Sequence, residues 1–494
     1  MKGRQLTLAI SGLLVGLVGC SSNSSSTTTA VEIPQQNDVW YTEAQAAIAK
    51  AKTTMPIDKP AKNVILFIGD GMSVGTITAA RIFEGQRRGL LGEEYSLAME
   101  SLPHAALVKT YNTDMQIPDS AGTASAMVAG VKTKAGTISV NDNVQRGFCN
   151  TALGNETTTA WELAAERGMS VGVVSTARLT HATPAVTYAH SADRNWEHDV
   201  PNIAKNQGCV DIATQFVNFD KGDGIQVAFG GGRREFLPAS VTDSEGKNGK
   251  RKDGRNLVEE WQAKHPEGQY VYDQTGFDKL DANTTRAFGL FESSHMKYEA
   301  DRGNDEPSLA EMTSKAIDIL SKNNEGYVLM VEAGRIDHAH HDGNAKRALE
   351  DTIAYDEAIK AALEKTNLDD TLVIVTADHA HTLVMNGYSV RGNNILGLSK
   401  SKGKFSQDEF GKKYTTLTYG NGPGAVKGER SDLTESQVMA LDYKQQSLVR
   451  LSSETHSGED VAVFARGPQA YLFQGVVEQN YLYHVMNEAL TLSK

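Results

Sequence analysis

A serine, a set of carboxylates and a knot of histidines are the residues of this 494-residue chain that could do chemistry. Asp119-Ser120-Ala121-Gly122-Thr123-Ala124 puts a hydroxyl where an extended run, Ala106 to Tyr111, gives way to small, helix-tolerant residues from Ser120 to Gly130. At a helix N-terminus the unpaired N–H groups and the positive dipole end favour an anion or a developing alkoxide. Ser120 is therefore a candidate nucleophile. A serine after an aspartate before a helix is, on its own, ordinarily a cap; what raises Ser120 above that reading is the rest of the chain.

Several carboxylates stand just after β-rich apolar runs. Asp70 follows Val64 to Ile68, Glu332 follows Tyr327 to Val331, and Asp378 with His379 follows Leu372 to Thr376. In open α/β sheets ligands collect beyond the carboxyl ends of the strands, so these strands would deliver carboxylates to one edge. Unpaired, such groups repel and raise each other's pKa values, and a cation is the natural resolution. In Asp337-His338-Ala339-His340-His341, Asp337 and His341 are four apart and share one face of a helical turn. An Asp with two His and an open position suits zinc. His456 precedes its strand, Val461 to Ala465, and can join the others only if that strand runs antiparallel to the rest. The sequence predicts that it does.

The elements that must position these residues read as an α/β protein. Continuous apolar runs at Val64 to Ile68, Val171 to Ser175, Ile225 to Phe229, Tyr327 to Val331, Leu372 to Thr376 and Val461 to Ala465 alternate with helical stretches. That pattern predicts a large, mostly parallel central sheet covered by helices on both faces. Helices are predicted at Glu156 to Arg167, Ser308 to Leu320 and Asn344 to Lys365. The segment from about Asn386 to Gln446, rich in Gly, Ser, Lys and Asn, reads as an insertion, and polar Val241 to Arg255 as an exposed loop.

A net charge of −12 without a long basic run argues against a nucleic-acid-binding module. At the N-terminus, Lys2 and Arg4 precede an apolar run, Leu6 to Val18, too short for the roughly 20 residues of a membrane span. Leu17-Val18-Gly19-Cys20 looks like a bacterial lipobox with Cys20 lipidated, and Ser21 after it suggests the outer membrane; an ordinary cleaved signal peptide is the alternative. The reading is a signal peptide at 1–19, a Ser/Thr-rich tether at 20–38 and one large domain at 39–494. Cys149 and Cys209 remain, in an oxidising compartment, as either one disulfide or two free buried thiols.

Together the motifs resemble the alkaline phosphatase family, closest in pattern to its animal-type branch. The resemblance runs through Asn63-Val64-Ile65-Leu66-Phe67-Ile68-Gly69-Asp70-Gly71-Met72, Pro118-Asp119-Ser120, His181-Ala182-Thr183-Pro184-Ala185, Val375-Thr376-Ala377-Asp378-His379 and Glu459-Asp460-Val461-Ala462-Val463-Phe464-Ala465-Arg466-Gly467-Pro468. It implies one zinc held by Asp337, His341 and His456, and a second held by Asp70, Asp378 and His379 beside Ser120. It implies a magnesium on Asp70, Thr183 and Glu332. Arg194, eleven residues beyond Thr183, would grip the phosphoryl oxygens as a planar fork, oriented by Asp119. Four carboxylates bring about −4, the three ions about +6 and Arg194 about +1, so a phosphate dianion is attracted despite the acidic protein.

The implied activity is hydrolysis of phosphate monoesters at alkaline pH through a phosphoserine on Ser120, with little discrimination of the leaving alcohol. His181 and His338 would tune the third metal, magnesium or a further zinc, and contact phosphate through water. The resemblance also implies that Cys149 and Cys209 pair, that 386–446 is a crown insertion at a homodimer interface, and that Trp40 to Lys52 is a helix reaching the other subunit. A calcium site near Phe291 and Glu292 departs from the family pattern, with Glu306 where an aspartate is expected and Asp243 and Glu245 as further contributors; retention and loss of that site both stay open. A phosphodiesterase or sulfatase of the same superfamily fits less well. Ala121-Gly122 after Ser120 lacks the sulfatase proline, and a diesterase would more often use threonine. A lipid-anchored metal- or phosphate-binding protein without turnover would gain nothing from Ser120.

Overall fold

The computed structural model describes residues 33–493. The predicted signal peptide, Cys20 and most of the tether lie outside the described residues. Residues to Thr54 and residues from Met55 cluster as two units. In the first, a helix spans Val39–Thr53, capped by Asp38, whose side chain accepts from the Trp40 N–H, with Lys50 and Lys52 in its last turn and no residue buried.

The second unit is built on a ten-stranded sheet. Its strands are β1 (Asn63–Gly69), β2 (His104–Lys109), β3 (Ser170–Arg178), β4 (Val227–Gly231), β5 (Gln269–Val271), β6 (Ala287–Leu290), β7 (Tyr327–Ala333), β8 (Thr371–Ala377), β9 (Val461–Arg466) and β10 (Val476–Glu478), in the spatial order β10-β2-β9-β8-β1-β7-β3-β4-β6-β5. Every pairing is parallel except those of β9, which is antiparallel to both β8 and β2. The antiparallel strand required by His456 is thus present. Each residue of β1, β7 and β8 is buried, as expected of central parallel strands with both faces covered. Toward the edge, β2 and β9 alternate between buried and more exposed positions.

The helices follow local signals. Ser308 and Glu311 form a capping box for Leu309–Leu320, and Asn344 caps Ala345–Lys365. The helix predicted at Glu156 to Arg167 is shorter, Ala160–Glu166. Thr159 is its extended N-cap in a capping box with Glu162, and Glu156 instead bridges to Val140. The helix after Ser120 ends at Ala129, where Gly130, with φ of 75°, supplies the left-handed cap. β5, β6 and β10, of three or four residues each, carry too short a pattern to read from sequence.

Around the predicted insertion, Leu383–Met385, Leu417–Gly422 and Ser447–Arg450 form a three-stranded sheet, and Lys400–Ser401 pairs with Lys404–Phe405. Tyr388, Phe410 and Leu448 there are strongly exposed. The stretch Val241 to Arg255 is irregular, as expected, but not wholly exposed. Arg251 is buried and donates to both carboxylate oxygens of Asp211, at 2.8 and 3.1 Å. Cys149 and Cys209 form a disulfide, with Cα atoms 5.9 Å apart.

Candidate active site

Register brings the carboxylates to one edge. Ile68 of β1 lies opposite Glu332 of β7 and Thr376 of β8, and Gly69 lies opposite Ala333 and Ala377. Asp70 and Asp378, each one residue past its strand, therefore emerge beside Glu332. All three are fully buried. Burial pushes each of them up: Asp70 well above the usual range, with Asp337 and Glu332 adding to the rise; Asp378 to about 7, with Asp70 adding; and Glu332 to about 8, against a hydrogen bond from the Ser175 hydroxyl. Asp70 Oδ2, Asp378 Oδ2 and Glu332 Oε1 have no hydrogen-bond partner. Buried carboxylate oxygens left bare in this way fit cation ligands.

Asp119 and Ser120 divide the roles at their helix start. Asp119 is the N-cap, accepting from the Gly122 N–H, which leaves the Ser120 hydroxyl free of capping. Ser120 Oγ lies 3.1 Å from His379 Nε2 and 3.4 Å from Asp70 Oδ1. His379 Nε2 is in turn 3.3 Å from Asp70 and 3.4 Å from Asp378. Arg194 donates to Asp119 Oδ2 and to His181 Nε2, each at 3.0 Å. Burial alone would raise Asp119, but Arg194 and the N–H groups of Gly136 and Gly122 hold it below the usual carboxylate range. His181 is held neutral by burial and by Arg194.

The second cluster surrounds Asp337, on the turn Arg335–His341 that follows β7. Asp337 Oδ1 is 3.2 Å from His341 Nε2 and 3.3 Å from His456 Nε2, and those two nitrogens are 3.1 Å apart. Each ring spends Nδ1 on a backbone carbonyl, His341 on Glu454 at 2.6 Å and His456 on Pro118 at 2.7 Å. The Nδ1 protons are thereby fixed, so the Nε2 lone pairs converge with a carboxylate on one point. Burial opposes a proton there, yet Asp337 draws His341 up to about 9. A divalent cation would take that proton's place.

Side-chain donors gather in four groups whose ligand atoms lie within 4.8 Å of one another: Asp337, His341, His381 and His456; Asp70, Asp337 and His379; Asp70, His181 and Glu332; and His181, His295 and His338. Of the ligands expected from sequence, Asp70, Glu332, Asp337, His341, His379 and His456 fall in these groups; Asp378 is in none of them and reaches them through His379 Nε2 at 3.4 Å, and Thr183 is fully buried on the short helix Ala182–Ala185. His338 accepts from Arg335, and its ring centroid is 4.1 Å from that of His295 and 5.5 Å from that of His181.

Sequence reasoning missed His295 and His381. His381 could have been noticed as the alternate residue after His379 in Asp378-His379-Ala380-His381; it pairs across a two-residue bridge with His456. Nothing local marked His295. Of the expected calcium residues, Glu292 lies near enough to raise both Glu306 and Glu245, and none of them falls in the four groups. Glu306 is buried and raised to about 8 by burial and then by Glu292; Glu245 is raised to about 7 by burial and by Glu292. Lys297 Nζ lies 3.2 Å from Glu292 and 2.7 Å from Asp305, and Arg233 lies 2.6 Å from Glu245 and 3.7 Å from Asp243.

A family model described as alkaline phosphatase matches residues 61–492. The chain is 45% identical over 493 residues to the tissue-nonspecific alkaline phosphatase isozyme of Felis catus, covering 97% of this chain and 92% of that one. Against the isozyme of Homo sapiens it is 44% identical, with the same coverage. Among solved structures, the alkaline phosphatase of Thermus thermophilus superposes with a TM-score of 0.64 at 26% identity, covering 90% of this chain and 94% of that one.

Proposed function

Since the chain belongs to the alkaline phosphatase family and is a phosphate monoester hydrolase, we propose that it works through a phosphoserine on Ser120 with broad specificity at alkaline pH. The observation that carries this reading is the placement of Ser120 Oγ, within 3.4 Å of both His379 and Asp70, among carboxylate oxygens that lack partners. Asp337, His341 and His456 would hold one zinc; Asp70, Asp378 and His379 a second; and Asp70, Thr183 and Glu332 a magnesium, with His181 close enough to favour zinc there instead. Bound in these places, divalent ions would neutralise the carboxylates and lower the pKa of a nearby hydroxyl or water.

The chain's own residues do the rest. Ser120 Oγ attacks phosphorus, the new Oγ–P bond forming as the P–O bond to the alcohol breaks, and water then cleaves Oγ–P to release phosphate. Arg194, clamped by Asp119, presents a planar fork to two phosphoryl oxygens throughout. His338 contacts phosphate through water. Turnover of an aryl phosphate at alkaline pH, after loading with zinc and magnesium, should be lost in Ser120→Ala. Equal turnover in that variant would defeat the serine mechanism, and no wild-type turnover would favour a binding protein.

If the calcium site is kept, Phe291, Glu292 and Glu306 would hold the ion, with Asp243 and Glu245 as further contributors. The exposed apolar residues around the insertion, Tyr388, Phe410 and Leu448 among them, support a homodimer formed there, which light scattering on the purified protein would contradict by giving a monomer mass. Among the described residues no helix is long and apolar enough to cross a membrane. Membrane contact would come from lipid on Cys20 of an exported lipoprotein, and an unchanged membrane fraction in Cys20→Ala would argue against it.

A further inference from the structure

Glu454 reaches two members of the Asp337 triad, His341 directly and Asp337 through His381. It is buried, two residues before His456. Its carboxylate Oε2 shares a hydrogen bond with His381 Nδ1, while Oε1 accepts from the Thr382 N–H at 2.8 Å and the Thr382 hydroxyl at 2.5 Å. His381 Nε2 stands 2.7 Å from Asp337 Oδ1. Asp337 is an acceptor, so that contact needs the proton on Nε2, which makes His381 a donor to the ligand and not itself a ligand. The backbone of Glu454 reaches a second ligand: its carbonyl accepts from His341 Nδ1 at 2.6 Å, and its N–H donates to the His341 carbonyl at 2.9 Å. The residue is held in place from the insertion side. A Cβ on Gly422 would come within 3.0 Å of Glu454 Cβ, and Asn421 brackets Thr455 with hydrogen bonds of 2.8 and 3.0 Å.

We propose that Glu454 is the positioning residue of this triad. Its carboxylate aligns Asp337 through His381, and its backbone carbonyl fixes the tautomer of His341. The inference rests on the two-zinc reading above. Groups that orient metal ligands from outside typically hold about 10–100-fold of metal affinity.

Zinc titration of the metal-stripped full-length protein against a chromophoric chelator reads this directly. Glu454→Leu should weaken one of two zinc sites by about 10–100-fold and leave the other unchanged. Glu454→Gln should restore most of the loss, because its amide can either accept from or donate to His381 Nδ1. His381→Ala should weaken the same site, and the double variant should be no weaker than the worse single, since both interrupt one relay. Should Glu454→Leu fail to fold, His381→Ala and Glu454→Gln carry the test. Unchanged affinity at both sites, equal loss at both, or fully additive losses would overturn the relay. Wild-type protein that binds fewer than two zinc ions would overturn the underlying reading instead.

Discussion

Two clusters of carboxylates sit in this molecule, one buried at the strand ends and one that runs from buried Glu306 to the surface, and the positive charge that answers them comes from different places. Around Glu306, Lys297 and Arg233 pair with Glu292, Asp305, Glu245 and Asp243. At the strand ends, Asp70, Asp337 and Asp378 have only histidines as ionic partners, and among the described residues no Lys or Arg side chain pairs with them or with Glu332. Arg194, whose charge Asp70 feels, is turned to Asp119. The first cluster carries part of its own counter-charge, and only Glu306 Oε2 and Asp243 Oδ2 among its carboxylate oxygens are buried without hydrogen-bond partners among the described residues. The second leaves oxygens bare and imidazole lone pairs converging, an arrangement that suits cations from outside.

Removal of metal should separate the two most sharply. Prolonged treatment with a strong chelator should cut turnover by about 1,000-fold or more, since metal chemistry supplies several kcal/mol of transition-state stabilisation. It should also lower Tm, because the strand-end carboxylates lose their counter-charge. Calcium alone should restore part of the Tm and none of the turnover. Activity that survives chelation would erase the distinction.

Arg194 offers a smaller test. Arg194→Ala should lower kcat/KM by about 100–1,000-fold, as for the loss of a donor aimed at developing charge. Arg194→Lys should recover only part, because a point charge cannot make the bidentate contact. Full recovery by lysine would mean that charge alone is needed there.

The smallest effect belongs to the other cluster. Glu306 is raised from 4.5 to about 8. Between those values the folded protein holds a proton that the unfolded chain has released, so without calcium its contribution to stability falls as pH rises through that window. Tm measured from about pH 5 to 8 in chelator should show that decline, and Glu306→Gln should make it shallower without removing it, because Asp378 and Glu332 are raised into the same window. With calcium, which binds the ionised form, the decline should shrink or reverse. A calcium-independent profile would show that Lys297 and Arg233 have made the ion unnecessary.

Much of this was legible in the chain. Continuous apolar runs ending in Asp70, Glu332 and Asp378 announced parallel strands and a polar edge, and the awkward position of His456 forced the antiparallel β9. The limits were equally physical. Thr159 and Glu162 outcompeted Glu156 as the helix start because the capping box began three residues further on. Arg251 is buried in a stretch whose composition read as exposed, since its partner Asp211 lies 40 positions away in the chain. His381 and Glu454 act only through contacts that tertiary folding creates. Their type and local spacing marked neither as more than a polar residue near a motif.

The central claim is that phosphate passes through Ser120. The direct measurement is an acid quench of the metal-loaded enzyme during turnover of a phosphate monoester, followed by peptide mass spectrometry. The account predicts one phosphoryl group on the peptide containing Ser120, absent from Ser120→Ala. Phosphate on another residue, or an unmodified Ser120 peptide when the covalent species should accumulate, would contradict it.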